Sequence, residues 1–80
     1  METKYERNCR VKYYEVVSGL EHEGGYSKSQ IATVMVVMEC DKDEAIKLLK
    51  ASENYYYPDW SQWTWLEFRD MFQEVKAVYA

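Results

Sequence analysis

One histidine, two cysteines and a run of carboxylates are the residues of this chain with the most chemistry to offer. His22 stands between Glu21 and Glu23, beside the pair Gly24-Gly25. An imidazole works as a general base only when a second group orients it and a nucleophile lies within reach. The sequence around His22 supplies neither, so we expect a loop histidine and a protein that is not an enzyme. Cys9 and Cys40 show no C-x-x-C or other metal-ligand spacing. Both fall at apolar positions, where a thiol packs and stays inert. No metal and no cofactor are expected, and both thiols are expected to be reduced.

Glu39, Asp41, Asp43 and Glu44 form the densest acidic cluster. They lack the glycine and the alternating oxygen ligands of a calcium-binding loop. Two other roles suit them together. Asp41, Asp43 and Glu44 can cap a helix and complement its dipole. Their carboxylates would still face solvent, where they can meet the Lys and Arg side chains of a partner.

The third candidate surface is aromatic. Six of the eleven residues from Tyr55 to Trp65 are Tyr or Trp, and Pro58, the single proline, lies among them. Trp60, Trp63 and Trp65 can close the end of a helical core. Tyr55, Tyr56 and Tyr57 cannot all face one way on a regular element, so at least one projects outward. With Trp60, and with Glu53 and Asp59 beside them, they resemble the aromatic anchors and polar rim of a protein interface. We therefore assign partner binding to Tyr55, Tyr56, Tyr57, Trp60, Glu39, Asp41, Asp43 and Glu44.

Charge narrows the choice of partner. The formal net charge is −4, with ten basic and fourteen acidic side chains. Residues 1–12 hold four of the basic ones (Lys4, Arg7, Arg10, Lys12) and two of the acidic ones, so the rest has six against twelve. An acidic body disfavours polyphosphate and favours a protein with a basic surface. The basic start, interleaved with Tyr5, Tyr13 and Tyr14, carries the alternative, a small nucleic-acid-binding regulator. A homodimer using the Tyr-Trp surface symmetrically is a third class. No apolar run is long enough to span a bilayer, and the N-terminus lacks the apolar stretch of a secretion signal. A cytoplasmic location without membrane contact is the expectation.

Eighty residues make one domain. Tyr5, Cys9, Tyr13, Val16 and Leu20 recur at three- and four-residue steps, the stripe of a helix that ends at Gly19 or runs on to Glu23. Ser27-Lys28-Ser29-Gln30 matches a capping box, with Tyr26 and Ile31 at the positions of a hydrophobic staple. The run from Ile31 to Met38 is apolar almost all round. Its β-branched content also suits a buried strand, and the capping box decides for a central helix. Asp41, with Glu44 three residues on, starts a third helix faced by Ala45, Ile46, Leu48 and Leu49. Asn54 and Pro58 end it. A last helix begins near Asp59, Ser61 or Thr64 and carries Trp65, Phe68, Phe72, Val75 and Tyr79 in one seam, with Met71 and Val78 alongside. The fold class is all-α, a compact bundle of about four helices over roughly 4–19, 28–39, 42–53 and 61–79.

Two resemblances bear on this frame. Gln30-Ile31-Ala32 is similar to the start of a helix-turn-helix, but its recognition helix would open with Asp41-Lys42-Asp43-Glu44, three acids against a polyanion. Met35-x-x-Met38-Glu39-Cys40, four residues, then Ala45-x-x-Leu48-Leu49 resembles the first two helices of a ubiquitin-associated-type domain over residues 31–54. The resemblance implies tight packing of two short helices. Glu39 stands where the family has a loop glycine and Cys40 where it has an aromatic residue, at the positions of its ubiquitin contact. Pro58 falls where the family's third helix begins. In size, acidity and lack of catalytic motifs the chain is also similar to small phage-encoded inhibitors such as anti-CRISPR proteins. That likeness implies a non-enzymatic inhibitor that occludes a basic, nucleic-acid-handling surface of a host protein.

Overall fold

Four short helices need four good starts, because an isolated helix of this length is marginal in water. The computed structural model describes residues 2–53 and 63–79, arranged as α1 (Lys4–Val17), α2 (Lys28–Met38), α3 (Lys42–Ser52) and α4 (Trp65–Tyr79). Thr3 and Glu6 form a capping box on α1. Ser27 and Gln30 form another on α2, as their spacing predicts. Asp41 caps α3 by accepting from the Glu44 amide at 2.9 Å. Thr64 and Glu67 exchange the same pair of bonds at the start of α4, each at 3.2 Å. The α4 start thus falls at Trp65, the latest of the three sites offered by the sequence. Trp63 and Thr64 are not helical, which corrects the start placed near 61.

α2 is the centre and touches all three other helices. Ile31, Ala32 and Val34 are fully buried, and Val36 and Val37 nearly so. The buried Thr33 hydroxyl donates to the Ser29 carbonyl at 2.8 Å, so its burial leaves no polar debt. β-branched residues cost a helix about 0.5 kcal/mol each in propensity. Burying each Ile or Val stabilises by about 1.5–3 kcal/mol, which outweighs that cost in a run that the capping box starts as a helix.

Against this axis α3 lays Ala45, Leu48 and Leu49, and α4 lays Phe68, Phe72 and Val75. α1 contributes Cys9 as its buried residue. It ends at Val17 with Ser18 as cap, and Leu20 packs back on the core after the break. α1 runs antiparallel to α4: Tyr5 lies under Arg69 and Tyr13 meets Trp65. Met71 is half-buried beside the α4 seam, but Val78 is exposed, which corrects its place there. The side chain of Tyr79 lies outside the described atoms.

The α1–α2 connection turns at residues 23–26, where Glu23 and Tyr26 exchange backbone bonds of 3.1 and 3.0 Å. Both central residues have positive φ, +65° at Gly24 and +87° at Gly25, which glycine adopts without steric cost. Gly24 also sits against Ile46 of α3. The Tyr26 hydroxyl donates to Glu53, tying the turn to the end of α3.

Candidate functional site

The acidic cluster is built at the corner between α2 and α3. Glu39 ends α2 with φ 50° and ψ 49°, a left-handed conformation that an L residue adopts at a cost and glycine adopts freely. It is the one described non-glycine residue with positive φ. Its side chain is 81% exposed, and its nearest cation is the Lys12 ammonium at 3.9 Å. Asp41 follows in extended conformation and uses one oxygen to cap α3. Asp43 is exposed and Glu44 half-buried in the first turn.

Lys42 is the base within the cluster, yet its ammonium pairs with Glu23 at 3.3 Å, across the chain in the glycine turn. Among the described residues Asp41, Asp43 and Glu44 make no ion pair. The structure thus brings Glu39, Asp41, Asp43 and Glu44 to one corner with their charges largely uncompensated. Tyr55, Tyr56, Tyr57 and Trp60, the aromatic half of the expected site, lie outside the described residues, as do Asn54, Pro58 and Asp59.

The end of the aromatic stretch that is described belongs to the core. Trp63 and Trp65 are half-buried and pack on Phe68 with ring centroids 5.5 and 6.2 Å apart, and Trp65 meets Tyr13 at 5.7 Å. Such contacts fix the exit of the segment on the α1–α4 side of the bundle.

The basic start of α1 is already engaged. Arg10 makes two bonds to Glu2, at 3.0 and 3.2 Å, and Arg7 lies 3.6 Å from the same carboxylate. Glu2 is held below its ordinary pKa by this, Arg10 first among the causes. Lys12 faces Glu39. Exposed pairs of this kind are weak. Even so, they mean that three of the four bases meet a carboxylate before any phosphate.

His22 has a local structural task. Its Nδ1 accepts from the Lys28 amide at 3.0 Å, so the imidazole satisfies a free N–H in the first turn of α2. Cys9 and Cys40 are both free thiols. Burial pushes Cys40 up to about 11, helped by the nearby charges of Glu44 and Asp41. Burial also raises Cys9. Tyr5 and Tyr26 rise to about 12, burial again being the first cause. Among the described residues no three His, Cys, Asp or Glu side chains are gathered so as to hold a metal ion, and no helix is long and apolar enough to cross a membrane.

These shifts carry a pH prediction. Each group keeps its proton in the folded state at pH values where the unfolded chain has lost it, so stability falls as pH rises. The contribution is whole below about pH 8.5, the unfolded thiol value, and drains away between there and about pH 12. Urea midpoints measured across that range should decline steadily. Alkylation of Cys40 by iodoacetamide in the native protein should be slow at neutral pH and accelerate towards pH 11. A thiol alkylated at neutral pH as fast as a free peptide cysteine would contradict the burial.

Arg69, Asn8 and Gln73 were not singled out by the sequence. They line a cleft of about 310 Å³ between α1, the end of α2 and α4, which shares Glu39 with the acidic corner. Their signal is spatial: each sits on a different turn of α1 or α4, and their spacing carries no motif. Comparison with protein-family models, curated proteins and solved structures finds no match for this chain.

Proposed function

We propose that this chain is a non-enzymatic, protein-binding helical module whose acidic α2–α3 corner docks on a basic surface of another protein. The observation that carries the reading is Glu39. A residue in the left-handed region persists there only when something repays its conformational cost. The Cys40 N–H bond to the Met35 carbonyl, at 3.2 Å, closes the end of α2 and repays the turn itself, as it would for glycine, while the exposed ion pair with Lys12 adds little. A carboxylate wanted at the tip of an acidic corner accounts for a glutamate where glycine would fit better. Exposed Asp43, without an ion pair among the described residues, and exposed Asp41 extend the same patch.

A basic surface that attracts carboxylates is commonly one that handles nucleic acid, and occupying it blocks the polyanion. The inhibitor reading, with its likeness to small phage-encoded proteins such as anti-CRISPR proteins, rests on that argument and on composition. A cytoplasmic site of action accords with the free thiols.

The proposal predicts a trade between stability and binding. Glu39→Gly should raise stability by about 1 kcal/mol, because the left-handed cost disappears. It should also weaken partner binding. A photo-crosslinking residue at position 43, used in the native host, identifies the partner. The purified partner should then lose its nucleic-acid binding when the wild-type chain is added, and lose less of it to Glu39→Gly. A crosslinked partner whose nucleic-acid binding is indifferent to the chain would overturn the inhibitor reading. Crosslinking to a second copy of the chain alone would replace it with self-assembly.

A further inference from the structure

The cleft between α1 and α4 has a chemistry opposite to that of the acidic corner beside it. Its floor is apolar: Val36 and Val37 of α2, with the buried Cys9. Its charged groups are Lys12, Glu39 and Arg69. Its lining thus holds two bases and one acid, one net positive charge on a protein of net charge −4, with the Asp70 carboxylate outside the lining and 3.4 Å from Arg69.

Arg69 is positioned by stacking, with its guanidinium carbon 4.9 Å from the Tyr5 ring centroid. Its ion pair is with the neighbouring Asp70 at 3.4 Å, whose side chain is 69% exposed, a contact of little strength. Its Nε is buried and has no hydrogen-bond partner among the described residues. A guanidinium has five donors, and a buried one left unmade costs about 1–3 kcal/mol. The fold therefore holds a planar cation in place against an aromatic ring while using few of its hydrogen bonds. Asn8 and Gln73 add neutral amides from α1 and α4. The raised values of Tyr5 and Cys9 agree that the inner wall is poorly hydrated, which strengthens any ion pair formed there.

We propose that this cleft binds the carboxylate of an acid with a short apolar body, with Arg69 as the anion receptor and Val36 and Val37 under the body. A planar fork matches a carboxylate in two parallel bonds. The apolar floor selects an anion that carries carbon over a bare inorganic one. The acidity of the remaining protein selects a single charge over a polyanion. The carboxylate can come from a free organic acid or from a glutamate side chain of a bound protein.

Amide and arginine side-chain NMR resonances, followed during titration, test this. The probes are 4-methylpentanoate for a free acid, acetyl-glutamate methylamide for a protein side chain, and inorganic phosphate, all at constant ionic strength. The Arg69 Nε–H signal and the Gln73 side-chain amide should shift saturably with at least one carboxylate, and the stronger of the two assigns the source. Arg69→Lys keeps the charge and loses the fork, so it should weaken the response about tenfold. Should that variant unfold, Gln73→Ala on the exposed rim provides the same comparison, with a smaller loss. A response to phosphate as strong as to either acid, or no saturable shift with any probe, would overturn the assignment.

Discussion

Phe72→Ala should bring the domain close to unfolding. Phe72 is fully buried, and it lies in the cluster that joins Ile31 and Val34 of α2 to Leu49 of α3. Removing a buried phenylalanine ring costs about 3–5 kcal/mol, part in lost burial and part in the cavity left behind. A chain of this size has about 4–12 kcal/mol of stability in all. Because α2 touches every other helix, loss at its contact with α4 cannot stay local. Urea denaturation followed by circular dichroism should show a much lower midpoint with an unchanged slope. Val78→Ala, six residues along the same helix and 60% exposed, should change stability by no more than about 0.5 kcal/mol. Equal costs for the two variants would mean that the α4 seam faces elsewhere.

The second large effect belongs to the glycine turn. Gly24→Ala and Gly25→Ala should each cost about 1–2 kcal/mol, since both require a side chain at positive φ. Gly24→Ala should cost more. A Cβ there would lie 3.2 Å from Cγ2 of Ile46, while one at Gly25 meets nothing within 4 Å. Ile46 is held by α3, so the turn must shift away from it, loosening the Tyr26–Glu53 bond that pins the turn. Thermal melts resolve the ordering, since 1 kcal/mol corresponds to roughly 4–8 °C in a domain of this length. A reversed order would show that the turn does not rest on α3.

The frame of the molecule was legible because its signals are local. Ser27-x-x-Gln30 and Asp41-x-x-Glu44 mark helix starts through bonds made within four residues, and both starts stand where their spacing puts them. Thr64-x-x-Glu67 carries the same signal, but Asp59 and Ser61 offer competing starts, and only the structure places the first turn at Trp65. Val78 shows the limit of periodicity. It falls at the edge of the α4 stripe, and near the end of the helix that edge is exposed. The acidic corner was visible as a cluster, but no local motif around Glu39 marks its left-handed conformation. The cleft could not be read at all. Tyr5 and Arg69 are far apart in sequence and meet because α1 and α4 pack antiparallel against α2. The aromatic residues Tyr55, Tyr56, Tyr57 and Trp60 lie outside the described residues, so the corner alone carries the structural case for a partner.

That case is tested most directly by titrating the labelled protein with an oligo-arginine peptide and, separately, with single-stranded DNA at low salt. The account predicts saturable amide shifts centred on Glu39, Cys40, Asp43 and Glu44 with the peptide, weakened by added salt and by the variant Glu39→Gly/Asp43→Asn. With DNA the corner should stay silent, and Lys4, Arg7, Arg10 and Lys12 should shift little. Peptide shifts spread equally over Glu67, Asp70 and Glu74, or strong DNA shifts along α1, would contradict it.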